Sequence, residues 1–178
     1  MALSVVYSAD TGHAVGALAL AGASAPPDVA ALVGRALPLR VSLGGGRTAT
    51  LPLNARQLAV AAVDDEPAAL ADPLAFGVEL TPEGKPKPTL QRLASWTGND
   101  GIALARDGLT VTVRVAAAGP TKVLALVSED QDAHVLAGEI PAQQTQVKLP
   151  VTLKPGSTHG VLVLVAGWAG RLDKTGVT

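Results

Sequence analysis

Residues 37–53 read Leu37-Pro38-Leu39-Arg40-Val41-Ser42-Leu43-Gly44-Gly45-Gly46-Arg47-Thr48-Ala49-Thr50-Leu51-Pro52-Leu53. On either side of the glycines, Arg40, Ser42, Thr48 and Thr50 alternate with Leu39, Val41, Leu43, Ala49 and Leu51. A period of two marks a strand with one buried face, so the stretch predicts a β-hairpin turning at the glycines. A triple glycine also suits a phosphate cradle. Here no Lys-Ser or Lys-Thr follows at the required spacing, and a strand follows instead of a helix.

The same rhythm extends in both directions. Residues 3–8 and 14–20 flank Asp10-Thr11-Gly12 and read as a second hairpin. Residues 28–35 predict a short helix capped by Asp28, with Val29, Leu32 and Val33 on one face. Asn54 caps a single turn, residues 59–63 return to strand, and 64–73 form a polar connection. Residues 74–80 and 89–96 are further strand candidates. Between them lies Thr81-Pro82-Glu83-Gly84-Lys85-Pro86-Lys87-Pro88, where three prolines predict a linker or exposed loop. A turn is expected at 97–101.

The remainder predicts strands at 109–115, 122–127, 133–140, 145–153 and 160–166. The runs 122–127 and 160–166 are almost wholly apolar, as in strands covered on both faces. Pro150 places its strand at a sheet edge. In strand rhythm this part resembles an immunoglobulin-like or fibronectin-like sandwich, though it has no cysteine pair and no tryptophan in a central strand. The expected fold is all-β, an antiparallel β-sandwich with one short helix in its N-terminal half. The chain reads as a β-rich part at 1–80, a proline-rich connection at 81–100 and a sandwich at 101–178 ending in a polar tail.

Composition narrows the function. Of 178 residues, 48% are hydrophobic and 16% charged, against about a quarter charged in ordinary domains. Tyr7, Phe76, Trp96 and Trp168 are the only aromatic residues, so Val, Leu and Ala must fill the core. Each Ala in place of Val forgoes two carbons, at about 0.8 kcal/mol per buried CH2. Such a core profits from further burial against partners. The net charge of −1 and scattered basic residues argue against nucleic-acid binding. No apolar run reaches the roughly 18–20 residues of a spanning helix, and the N-terminus lacks a basic signal region, so a cytoplasmic protein without membrane contact is expected. Without cysteine, thiolate chemistry and Cys-ligated metals are excluded.

The candidate chemistry is sparse. His13, His134 and His159 are far apart and lack metal-ligand spacing. Ser157 precedes His159 in Gly156-Ser157-Thr158-His159-Gly160, without the Gly-x-Ser-x-Gly elbow, and reads as a polar turn. Asp64-Asp65-Glu66 and Glu129-Asp130 with Asp132 offer carboxylates of the kind calcium takes, but read as solvated turns. No catalytic, cofactor or metal residue is assigned. Trp96 and Trp168, at strand ends, and Val161, Val163 and Val165 are the interface candidates.

These observations point to a non-enzymatic structural subunit of a larger bacterial or phage-like particle, associating with itself or with other protein subunits. The alternatives are a sandwich-type binding module for a peptide or carbohydrate, with a site on loops 97–107 and 129–132, and an enzyme with an unrecognised site.

Overall fold

The computed structural model describes residues 2–96 and 101–178. Strands dominate and lie in antiparallel sheets. In chain order they are β1 (Ala2–Ser8), β2 (Ala14–Leu20), β3 (Ala36–Gly44), β4 (Arg47–Asn54), β5 (Leu58–Val63), β6 (Phe76–Leu80), β7 (Pro86–Arg92), β8 (Ile102–Ala105), β9 (Gly108–Thr112), β10 (Thr121–Glu129), β11 (Asp132–Ile140), β12 (Gln146–Pro150), β13 (Thr158–Val165) and β14 (Arg171–Gly176). The helices are short: α1 (Val29–Val33) precedes β3, and α2 (Ala68–Ala71) precedes β6. Among the described residues, no helix is long and apolar enough to cross a membrane.

Two compact units interleave along the chain, where the sequence reads as consecutive segments. One comprises Met1–Leu37, Leu53–Ser95 and Gly167–Gly170, the other Pro38–Pro52, Trp96–Ala166 and Arg171–Thr178. Of the expected turn at 97–101, only Gly101 lies within the described residues.

In the first unit, β2, β1 and β5 form a sheet, and β6 pairs with β7. Leu3, Val5, Tyr7, Val63, Phe76 and Val78 centre its core. The capping signals act as their residue types dictate. Asp28 accepts from the Ala30 N–H at 3.0 Å, and Asn54 accepts from the Arg56 N–H at 2.9 Å. The proline-rich connection departs from expectation, because Pro86 and Pro88 lie within strand β7. They are tolerated because β7 is an edge strand paired only with β6, where a missing N–H breaks no ladder on the open side.

In the second unit, one sheet has the order β12-β9-β8 and the other β11-β10-β13-β14. The hairpin of β3 and β4 joins this unit through residues 38–52. Gly45 and Gly46 link its strands at φ of 60° and 74°, and two successive positive φ values suit a type I′ hairpin turn. Pro150 ends β12 at a sheet edge, in line with its sequence reading. Residues 171–176, expected as a polar tail, instead form β14 and pair with β13 from Thr158 to Val163. Strand β8 has no counterpart in the sequence reading. Both are edge strands: β14 pairs along the β13 backbone without an apolar pattern, whereas β8 is apolar throughout and buries Leu104.

Strands β10 and β13 are buried on both faces. Residues 123–127 and 161–165 are all 3% exposed or less, and each such Val or Leu is worth about 1.5–3 kcal/mol. Directly opposed residues share a face. Gly138, Val123 and Val165 are opposed across three strands, and a Cβ on Gly138 would lie 2.6 Å from Leu149 Cδ2 of β12. Val161 and Val163 alternate onto that same face, toward the three-stranded sheet. The other face carries Leu124, Leu126, Leu162, Leu164 and Gly160. There the hairpin is the cover: a Cβ on Gly160 would sit 2.4 Å from Val41 Cγ1 and 2.8 Å from Ala49 Cβ.

Gly160→Ala is therefore expected to cost about 1–3 kcal/mol of stability through overpacking. Gly176→Ala, where an added Cβ meets nothing within 4 Å, is the control and should be near neutral. Urea denaturation of both variants checks this, and equal midpoints would show that the hairpin does not press on Gly160.

Candidate functional site

Antiparallel pairing sends the turns β8–β9, β10–β11 and β12–β13 to one end of the second unit. The Leu153 N–H donates to the Arg106 carbonyl at 2.9 Å, tying two of these turns together. A cavity of about 510 Å³ opens at this end. Its walls are Arg47, Thr48 and Ala49 of the hairpin, Glu129 at the end of β10 and Asp130 beyond it, Lys154 and Ser157 of the β12–β13 turn, and His159 of β13.

Local sequence places the last of these. Lys154-Pro155-Gly156-Ser157 is a β-turn closed by the Ser157 N–H on the Lys154 carbonyl at 3.2 Å. Proline at its second position and Gly156 at φ 77° suit a type II turn. The chain is extended beyond it, so residues two apart share a face. Ser157 Oγ consequently lies 2.7 Å from His159 Nε2. The sequence reading of a plain polar turn is incomplete here, since the turn ends at Ser157 and the strand brings the two side chains together.

His159 is 9% exposed. Its Nδ1 contacts the Ser128 carbonyl oxygen, which only accepts, so Nδ1 carries a proton. In the neutral ring the Nε2 lone pair then faces Ser157. Ser128 Oγ also accepts from the Gly160 N–H at 2.8 Å, which fixes the start of β13 against β10. Ser157 Oγ has a second acceptor in the Lys154 carbonyl. Neither Ser128 nor the hairpin residues were visible as site residues in the sequence, because they meet His159 only through folding.

The other candidates fall elsewhere. His134 pairs with Glu129 beside the cavity. Of the two acidic groups, Asp64 accepts from the Thr89 hydroxyl of β7, Glu66 from the Ala68 N–H and Asp132 from the Ala133 N–H. Among the described residues, no three His, Asp or Glu side chains converge as metal ligands. Trp96 is half-buried, with the Arg171 guanidinium 5.4 Å from its ring centroid. Trp168 is also half-buried, and its carbonyl accepts from His13 Nε2 at 2.6 Å. Val161, Val163 and Val165 are 0% exposed and fill the chain's own core. Strand β13 lies between β10 and β14, so it needs no cover from a partner.

No protein-family model matches the chain, and comparisons with curated proteins and with solved structures find no match either.

His13 is fully buried in the first unit. Its Nε2–H donates to Trp168, and Nδ1 accepts from the Thr11 hydroxyl at 2.9 Å, which satisfies the neutral ring. Burial lowers its pKa, and the backbone carbonyls of Trp168 and Thr11, which favour the protonated ring, oppose that only in part. The folded state thus binds the His13 proton less readily than the unfolded chain. Stability from this residue is full above the ordinary imidazole value near 6.5 and is lost as pH falls toward the lower folded value. Urea midpoints between about pH 7.5 and 5 should fall on acidification. His13→Gln should flatten part of that slope, and an unchanged slope would contradict the assignment.

Proposed function

We propose that the chain is a structural assembly subunit that associates edge to edge through β11. The supporting observation is an imbalance among the sheet edges of the second unit. Natural edges are guarded by prolines, charges or shortness. β12 ends in Pro150, β14 carries Arg171, Asp173 and Lys174, and β8 has only four residues. β11 is nine residues long and pairs with β10 without a bulge. Its centre, Val135-Leu136-Ala137-Gly138, has no charge, and Val135 is 53% exposed.

The proposed occupant is β11 of a second copy, across a two-fold axis. A two-fold normal to the sheet keeps each residue on its own face. The antiparallel register that uses all nine residues puts Leu136 on the axis. Val135 then faces Ala137, Ala133 faces Glu139, and no like charges oppose each other. The result is a continuous sheet through both copies; this isologous contact closes as a dimer, the unit that a larger particle would assemble through a second contact.

Taking β8 to β14 as seven strands, the first, second and fifth form one sheet and the rest the other. This strand order supports an immunoglobulin-like Greek-key sandwich in which the fourth strand has joined the opposite sheet. That switch is what leaves β11 at an edge. The turn-end cavity favours a second reading, a binding module whose ligand contacts Glu129 and Asp130.

Light scattering on the eluting chain should give a dimer or larger species. Val135→Lys should shift it to monomer while changing folding stability by no more than about 0.5 kcal/mol, as for a surface substitution. A wild-type monomer at every attainable concentration, or an undiminished oligomer in the variant, would overturn the edge assignment.

A further inference from the structure

We infer that Ser157 is a nucleophile activated by His159, and that the turn-end cavity hydrolyses small carboxylic esters. This inference is independent of the assembly reading, since it uses the opposite feature of the second unit, a concave end instead of an open edge.

Three observations converge. The first is the tautomer. A buried imidazole whose Nδ1–H is held by the Ser128 carbonyl presents a basic Nε2 to its other neighbour. The second is distance. That neighbour is Ser157 Oγ at 2.7 Å, within the reach a general base needs. The third is access. Ser157 is half-buried and lines a cavity of about 510 Å³, within the range of small-molecule sites.

Arg47 and Lys154 line the same cavity together with the carboxylates of Glu129 and Asp130, so the lining is balanced in charge. Of these, the cationic groups would stabilise a developing oxyanion. Among the described residues, His159 hydrogen-bonds to no carboxylate; its Nδ1 rests on the Ser128 carbonyl. The arrangement is a dyad without the acidic third member, so slow turnover is expected. The Ser157 hydroxyl has one proton and two acceptors, Lys154 O and His159 Nε2. Reaction requires that proton to point to Nε2.

The step balances without a cofactor. Ser157 Oγ bonds to the ester carbonyl carbon while its proton passes to His159 Nε2. The tetrahedral oxyanion collapses, and the leaving alkoxide takes the proton from Nε2. Water then attacks the acyl-serine, its proton moving to Nε2 and then to Ser157 Oγ as the carboxylic acid departs. The net reaction is ester plus water to acid plus alcohol.

The test is incubation of the full chain with a fluorophosphonate probe, followed by peptide mapping, alongside hydrolysis of p-nitrophenyl acetate. The expected result is a single label on Ser157, absent from heat-denatured protein. Ser157→Ala should remove both the label and the ester hydrolysis above background, with unchanged circular dichroism. His159→Gln should slow labelling by roughly 100-fold or more. Should His159→Gln fail to fold, Ser157→Ala and the mapped label decide. No label on Ser157, or equal hydrolysis by Ser157→Ala, overturns the inference.

Discussion

The second unit depends on covering two faces of one strand pair. β10 and β13 are aliphatic throughout, so each face left in water would forfeit the burial of several Val and Leu side chains. The three-stranded sheet covers one face. The other is covered by a hairpin that comes from residues 38–52, before the rest of the unit begins. Gly160 is where this cover comes closest, because no side chain fits between β13 and Val41 or Ala49. With so few aromatic residues in the chain, close backbone approach replaces bulk as the means of filling the core.

Much of this was legible in the sequence. Alternation around Gly44-Gly45-Gly46 identifies the hairpin, and the unbroken runs at 122–127 and 160–166 identify strands buried on both sides. The covering of those runs by that hairpin was not legible, since periodicity says which residues are buried and not what buries them. Polar β14 follows the same logic in reverse. Arg171, Asp173 and Lys174 gave no strand pattern, yet the free backbone of β13 recruits the segment. Pro86 and Pro88 misled because a proline is excluded only from ladders on both sides. Val161, Val163 and Val165 read as a surface in need of a partner, and that need is met within the chain.

The candidate site divides similarly. The Pro155-Gly156 turn and the two-residue spacing of Ser157 and His159 were in plain view, and an extended backbone from 157 to 159 puts both on one face. Ser128 is 31 residues from His159, and only pairing of β10 with β13 joins them. The same pairing that builds the core therefore sets the histidine tautomer. It also leaves β11 as the outer strand on the β10 side, so the open edge and the concave end both follow from one sheet order.

The hairpin is part of the second unit's core and not an appendage. Native-state hydrogen exchange read by mass spectrometry tests it most directly. Peptides covering residues 38–52, 121–129 and 158–165 should lose protection together, with one opening free energy and one denaturant dependence. Hairpin peptides that exchange at far lower free energy, while β10 and β13 stay protected, would show that the hairpin is an appendage.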